Sequence, residues 1–118
     1  MTSEPKLSEA AKALLETRTM GELADRMGIQ LLELSAELTR AEMPVEGNRQ
    51  PLGLLHGGAY VVLAESLGSM SANVWAFQME KYAVGIEVNA SHSGSATSGK
   101  VMATCKAITL GKTLTVHE

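Results

Sequence analysis

The chain has 118 residues and a formal net charge of −3, and 45% of its residues are hydrophobic while only 3% are aromatic. This length predicts one domain, residues 1–118, with an aliphatic core. The ten Lys and Arg residues are scattered and form no basic stripe, which argues against a nucleic-acid-binding protein. The single cysteine, Cys105, cannot form an internal disulfide and fits a reducing compartment, so we expect a cytoplasmic protein.

In chain order, the first part predicts two short helices and then a hairpin. Four apolar residues at helical spacing predict the first helix: Leu7, Ala11, Leu14 and Leu15. Residues 19–22, Thr-Met-Gly-Glu, have the form of a capping box and open a second helix, which we expect to end at Gly28. Residues 29–35 and 38–45 predict the two strands of a hairpin, and residues 46–53 predict a loop.

The longest predicted helix covers about residues 57–77 and is largely apolar. It approaches membrane-spanning length, but it contains Glu65, Asn73 and several serines, and no basic cluster flanks it. We therefore interpret it as a buried helix and not as a membrane span.

Further strands are predicted after this helix. Residues 84–90 alternate between apolar and polar side chains and predict a strand, residues 91–100 predict a polar loop, and residues 101–107 predict another strand. A turn at residues 110–112 leads into a last extended segment, residues 113–118. Strands on both sides of one dominant helix predict an α+β fold in which a curved antiparallel sheet wraps around the helix.

The combination of one carboxylate and a glycine-rich helix start suggests acyl-group chemistry. Glu65 needs a reason to lie in an apolar helix, and His56-Gly57-Gly58 would open that helix with backbone N–H groups that can stabilise an oxyanion. His56 and Glu65 are separated by about 13.5 Å of helix rise and roughly half a turn. If both act on one carbonyl, Glu65 must come from a second subunit. Ser69 lies one turn beyond Glu65 on the same face, where the two could hold a water.

Structural roles are the alternatives at each of these positions. Glu65 could pair with a Lys or Arg of a neighbour, and the His56 motif could be only a tight turn into the helix. Ser69 could be a small packing residue, and Gln50 a solvated loop amide. Cys105 lies at an apolar strand position and is expected in the core. The three histidines show no metal-ligand spacing, so no metal site is expected.

Three stretches of this chain resemble a known family: residues 50–58 (QPLGLLHGG), 61–66 (VVLAES) and 84–90 (VGIEVNA). They are similar to the hotdog-fold acyl-CoA thioesterases, in the branch of 4-hydroxybenzoyl-CoA thioesterase from soil bacteria and 1,4-dihydroxy-2-naphthoyl-CoA hydrolase. The specific signal is Gln50 six residues before His56, Glu65 nine after it and Ser69 four after Glu65. The resemblance covers most of the chain from Met43 onward.

The resemblance implies a role for each residue of that signal. The backbone N–H of Gly57 would polarise the thioester oxygen, and Gln50 would help to orient that carbonyl. His56 would fix the loop and assist departure of the thiolate. Glu65 of a second subunit would be the nucleophile or the general base, and Ser69 of the same subunit would hold the hydrolytic water.

Coenzyme A would run along the strand and loop that follow the helix, in contact with Asn89 and His92, and would meet Gly111 and Lys112 at a later turn. The family commonly has a basic residue two positions after its histidine, where this chain has Gly94. The phosphate contact would then shift to Lys112, unless Lys112 is an ordinary solvated turn residue. No metal and no cofactor other than the coenzyme A of the substrate is implied.

The implied activity is hydrolysis of an acyl-CoA thioester with an aromatic acyl group, the best single substrate being the 1,4-dihydroxy-2-naphthoyl thioester of menaquinone biosynthesis. The alternatives are a broad-specificity, hydroxybenzoyl-CoA or phenylacetyl-CoA thioesterase, and a non-catalytic acyl-CoA-binding protein. A dimer would be the minimal active unit, and a homotetramer of paired dimers is expected. The family continues its last strand beyond the position of Glu118 and adds one more, so we expect the C-terminal strand to be truncated here.

Overall fold

A computed structural model describes residues 4–118, and residues 1–3, the start of the predicted domain, lie outside that range. The described chain forms three helices and five strands. In order they are β1 (Lys6–Leu7), α1 (Glu9–Leu15), α2 (Glu22–Met27), β2 (Gln30–Leu34), β3 (Leu38–Pro44), α3 (Gly57–Phe77), β4 (Lys100–Leu110) and β5 (Thr115–His117). No helix among these residues is both long enough and apolar enough to cross a membrane.

The two short helices are present, but both begin differently from the prediction: Leu7, assigned to the first helix by its spacing, lies in β1, and the start of α2 also differs. Ser8 caps α1 by accepting a hydrogen bond from the Ala11 N–H at 3.1 Å. The predicted capping box is wrong: Gly21 is the N-cap residue of α2, and the hydroxyl of Thr19 accepts from the Gly21 N–H instead. The predicted end at Gly28 is confirmed, since this residue has a left-handed φ of 75°, which glycine adopts without a Cβ clash.

The strands form one sheet in the order β1-β2-β3-β4-β5. The predicted hairpin is confirmed as the antiparallel pair β2–β3, with an irregularity between Leu31 and Glu33, where two adjacent leucines break the alternation. The predicted antiparallel sheet is confirmed for β2 to β5, while the unpredicted strand β1 pairs with β2 in parallel at one edge. A two-residue strand is too short to leave a periodic signal in the sequence.

Helix α3 has the bounds that the sequence predicts, and it packs against the sheet. Four of its buried residues form the contact: Leu63, Leu67, Met70 and Val74. The prediction of a buried helix holds for this side only, since Ala64 and Glu65 on another side are exposed. The helix therefore has one apolar face that packs in the core and one face that is accessible.

Residues 84–90 do not form the strand that their alternation predicts, because they pair with no strand of the described sheet. The side chains of Val84 and Ile86 are 74% and 81% exposed. Alternation indicates an extended backbone, but a strand also needs a hydrogen-bonded neighbour, and the sheet ends at β5 without reaching this segment. The segment instead runs along the accessible side of α3, and its contacts there define the site described next.

Candidate active site

Only one of the two glycine amides at the start of α3 is free. His56 is the N-cap residue, with φ −62° and ψ 132°, and its Nδ1 accepts a hydrogen bond from the Gly58 N–H at 2.8 Å. The Gly57 N–H meets no acceptor among residues 4–118. It lies at the positive end of the helix macrodipole, where negative charge is stabilised. The sequence predicts free backbone N–H groups at this helix start, and the structure shows that the N–H of Gly58 is not one of them.

The loop before α3 holds Gln50 close to the helix start. The Oε1 of Gln50 accepts from the Leu52 N–H, and its backbone N–H donates to the Leu54 carbonyl at 2.7 Å. Nothing in the described part of the chain accepts from its Nε2 amide. The His56 N–H donates to the Asn48 carbonyl at 2.9 Å, which ties this loop to the N-cap. The Oε1 of Gln50 therefore stabilises its own loop, while its Nε2 remains available as a donor.

His92 lies beside the free amide. A methyl group in place of a Gly57 hydrogen would lie 3.4 Å from the Nε2 of His92. The His92 ring also packs against Tyr60, with centroids 5.7 Å apart and planes tilted by 47°. Residue 60 lies one turn after residue 57 on the same face of α3, so this stacking could not be predicted without knowing where residue 92 returns to the helix.

A cleft of about 580 Å³ separates α3 from the segment that carries His92. Its helix wall consists of Tyr60, Val61 and Ala64, and residues 89–96 form most of the other wall. This volume is in the range of small-molecule sites. The structure thus brings five of the predicted site residues to this end of α3: Gln50, His56, Gly57, Asn89 and His92.

Glu65 is exposed, and its carboxylate lies against the backbone of Gly85. A methyl group on Gly85 would lie only 2.6 Å from the Oε2 of Glu65. No ion pair to Glu65 is formed within residues 4–118. The sequence reasoning missed Gly85, although a glycine inside an alternating pattern is a known sign of close approach by another group.

Ser69 lies one turn beyond Glu65 and is half-buried. Its carbonyl accepts from the Nδ2 of Asn73 at 2.9 Å, while its hydroxyl has no hydrogen-bond partner in the described part of the chain. Because α3 is continuous from Gly57 to Phe77, about 12 Å of helix rise separates Gly57 from Glu65. One chain therefore presents two partial sites: an amide donor at the helix start, and a carboxylate with a hydroxyl further along.

Gly111 and Lys112 lie at the opposite end of α3 from His92. The Nε1 of Trp75 donates to the Gly111 carbonyl at 2.8 Å, and the Nζ of Lys81 donates to the Lys112 carbonyl at 3.3 Å. Residues 57 and 75 are about 27 Å apart along the helix. A single chain does not bring Lys112 to the cleft that contains His92, so these two predicted coenzyme A contacts do not meet within one protomer.

Neither Cys105 nor His117 lies in the cleft, and burial affects the pKa of each. Cys105 is 6% exposed in the core, as predicted, and burial raises the pKa of its thiol while a hydrogen bond with Ser71 opposes that shift. Burial lowers the pKa of His117. Within residues 4–118, the His, Cys, Asp and Glu side chains form no group of three or more that could hold a metal ion.

The sequence of this chain is similar to a known protein family and to several curated proteins. The profile of the thioesterase superfamily matches residues 52–118. An esterase of Pseudomonas aeruginosa is 46% identical over 97 residues, which are 81% of this chain and 67% of that protein. The 1,4-dihydroxy-2-naphthoyl-CoA hydrolase of Escherichia coli is 42% identical over 92 residues, covering 77% of this chain and 67% of that protein.

Solved structures agree with these sequence matches. A crystal structure of a mutant thioesterase from Pseudomonas aeruginosa superposes with a TM-score of 0.77 at 42% identity, covering 92% of this chain and 76% of that one. The alignments span from 62% to 76% of the lengths of the similar curated proteins. For one of them, from Deinococcus radiodurans, the share is below two thirds.

Proposed function

The chain belongs to the thioesterase superfamily, and we propose that this thioester hydrolase acts on acyl-CoA thioesters at a site that two subunits share. The resemblance and the hotdog fold inferred from the sequence are confirmed by the family match and by the solved neighbours. The observation that carries the proposal is the free N–H of Gly57, which lies at a helix N-terminus beside the cleft of about 580 Å³.

In the proposed reaction the Gly57 N–H holds the oxygen of the thioester carbonyl. That oxygen becomes an oxyanion when the tetrahedral intermediate forms, and one donor placed there is worth about 2.7–4 kcal/mol. Gln50 supports this site from the neighbouring loop through its Nε2 donor. The positive end of the α3 dipole acts in the same direction.

His56 is suited to assist the departing sulfur. Its Nδ1 accepts from the Gly58 N–H, so the proton of the neutral ring is on Nε2, which is then a donor. A thiol leaves with a pKa of about 8.5, so this step needs a hydrogen-bond donor rather than a strong acid. The hydrogen bond by which His56 caps α3 therefore also determines the tautomer of its imidazole ring.

Glu65 of the partner subunit completes the site. In one alternative its carboxylate attacks the carbonyl carbon, the carbon–sulfur bond breaks to release coenzyme A as the thiolate, and water then cleaves the resulting anhydride. In the other it removes a proton from the water that attacks the carbonyl carbon, and the thiolate leaves when the tetrahedral intermediate collapses. In both cases Ser69 of the partner subunit holds the water. Gly57 and Glu65 are separated by about 12 Å of helix rise, so one chain cannot bring the Gly57 N–H and the Glu65 carboxylate to the same carbonyl group. This separation supports a shared site. The reaction requires no cofactor beyond the coenzyme A of the substrate.

We propose a dimer as the minimal active unit, paired into a tetramer, in the cytoplasm. An aromatic acyl group is favoured, and 1,4-dihydroxy-2-naphthoyl-CoA, an intermediate of menaquinone biosynthesis, is the best single candidate. The 42% identity to the Escherichia coli hydrolase of that compound supports this choice. An apolar pocket separates related acyl groups by only about 1–3 kcal/mol per group, so hydroxybenzoyl- and phenylacetyl-CoA belong in the test.

A thiol-trapping assay tests the activity. Purified protein is supplied with 1,4-dihydroxy-2-naphthoyl-, hydroxybenzoyl-, phenylacetyl- and long-chain acyl-CoA, and free coenzyme A is measured. We expect release, with the highest kcat/KM for an aromatic substrate. Glu65→Gln should lower kcat by about three orders of magnitude or more without unfolding the protein, because the amide keeps the shape and loses the carboxylate. Binding without release would instead identify a non-catalytic acyl-CoA-binding protein.

A further inference from the structure

Asn73 is a buried amide in the interior of α3 with every hydrogen-bonding group satisfied. It is 7% exposed, and asparagine is a poor helix former, so its position needs an explanation. Its Nδ2 donates to the carbonyls of Ser69 and Ala83 at 2.9 and 3.0 Å. Its Oδ1 accepts from the Ala83 N–H at 2.9 Å and from the Nη1 of Arg18 at 3.2 Å. Two donors and two acceptor positions are all that an amide side chain has.

The two bonds to Ala83 make the side chain a substitute for a partner strand. Both the N–H and the carbonyl of Ala83 are held, which is the pattern that one residue makes with its neighbour in an antiparallel pair. Residues 84–90 make no strand pairing in the described structure, so this amide anchors the start of that segment against α3. Arg18, in the connection between α1 and α2, holds the amide in turn.

Gly85 follows two residues after Ala83 and lies against the Glu65 carboxylate. The contact is so close that a methyl group there would overlap the Oε2 atom at 2.6 Å. Glu65 is exposed and has no ion pair within residues 4–118, and the backbone of Gly85 lies directly against its carboxylate. The position of Gly85 is in turn set by Asn73 through Ala83.

We propose that Asn73 is a positioning residue for thioester hydrolysis: it holds Ala83, places Gly85 against Glu65, and so fixes the carboxylate for reaction. This inference rests on the proposed function. Asn73 itself is too buried to touch a substrate, so its effect passes through the backbone of residues 83–85. Small displacements of a catalytic group are costly, about 100-fold for a misplacement near 1 Å.

The test compares two variants of the same helix. Asn73→Ala removes the amide that holds Ala83. Ser71→Ala is the matched control, because Ser71 is also buried and hydrogen-bonded, to Thr39 and to the Ser35 carbonyl on the sheet side, away from Glu65. We expect Asn73→Ala to lower kcat about 10- to 100-fold with KM changed less than about threefold. Ser71→Ala should leave kcat of the folded protein within about twofold while it also lowers Tm.

A second variant keeps the inference testable if Asn73→Ala folds poorly. Gly85→Ala changes an exposed residue whose φ is outside the left-handed region, so the backbone accepts alanine while the new methyl displaces the carboxylate. Its kcat should fall by a similar factor. In a Glu65→Gln background, neither Asn73→Ala nor Gly85→Ala should lower the residual rate further, since both act through the carboxylate.

Two results would overturn the positioning role. One is an unchanged kcat in Asn73→Ala and Gly85→Ala. The other is an equal fold loss in the wild-type and the Glu65→Gln backgrounds, which a purely structural role predicts. A wild-type protein that releases no coenzyme A, or a Glu65→Gln variant with normal turnover, would contradict the proposed function itself and with it this inference.

Discussion

The backbone N–H of Gly57 has no acceptor within residues 4–118, in contrast to that of Gly58. His56 uses its Nδ1 to cap Gly58, and this leaves the Gly57 N–H as the donor. The isolated carboxylate of Glu65 and the glycine-rich start of the helix are visible in the sequence, and resemblance to a family then implied roles for Gly57 and Glu65. It could not reveal the cap on Gly58 or the approach of Gly85 to Glu65, because both depend on atoms brought together by the fold.

Gly57→Pro removes this one donor with little change to the helix. Proline fits the first helical position, and the ψ of 132° at His56 is compatible with a following proline. We expect kcat to fall about 100- to 1,000-fold, as for loss of an oxyanion donor. Gly57→Ala is the matched control: it places a Cβ at the same distance from His92 but keeps the N–H. Steady-state kinetics showing equal losses in both variants would remove the amide from the mechanism.

At the scale of elements, local signals predicted what local interactions determine. The bounds of α3 and the end of α2 at Gly28 are confirmed. The prediction that a capping box opens α2 is wrong, because Gly21 is its N-cap residue. The sequence does not predict strand β1. Residues 84–90 were predicted as a strand, but a strand depends on its neighbour, and no alternation within a segment can reveal whether one is there.

Substitution of Gly28 tests how much the close contact between the end of α2 and Pro44 of β3 contributes to stability. Its φ is 75°, and a Cβ would lie 2.8 Å from the Cγ of Pro44. Gly99 has the same kind of φ, 74°, with nothing within 4 Å of a Cβ. Gly99→Ala should therefore cost only the backbone strain, about 1–2 kcal/mol. Gly28→Ala should cost at least about 1 kcal/mol more, because it also overpacks the joint.

Urea unfolding of both variants measures this difference. Equal losses in the free energy of unfolding would show that the Pro44 contact is relieved without cost and that only the left-handed backbone requires glycine at position 28.

In one chain, the amide of Gly57 and the carboxylate of Glu65 form two separate partial sites, and this separation is why we propose a second subunit. A continuous α3 keeps Gly57 and Glu65 about 12 Å apart along its axis, a conclusion that helix geometry already allows from the sequence. The sequence could not predict how the accessible side of α3 is covered, because that depends on residues 81–99 folding back along the helix. Nor could it predict that Lys112 and His92 lie near opposite ends of α3.

Subunit mixing tests the shared site most directly. Gly57→Pro and Glu65→Gln homodimers should each be nearly inactive, since every site lacks one essential group. In a mixed dimer, one of the two sites combines an intact Gly57 with an intact Glu65 of the partner subunit. Statistical mixing should then restore about a quarter of the wild-type rate. No recovery in a sample whose subunits have demonstrably exchanged would contradict the shared site.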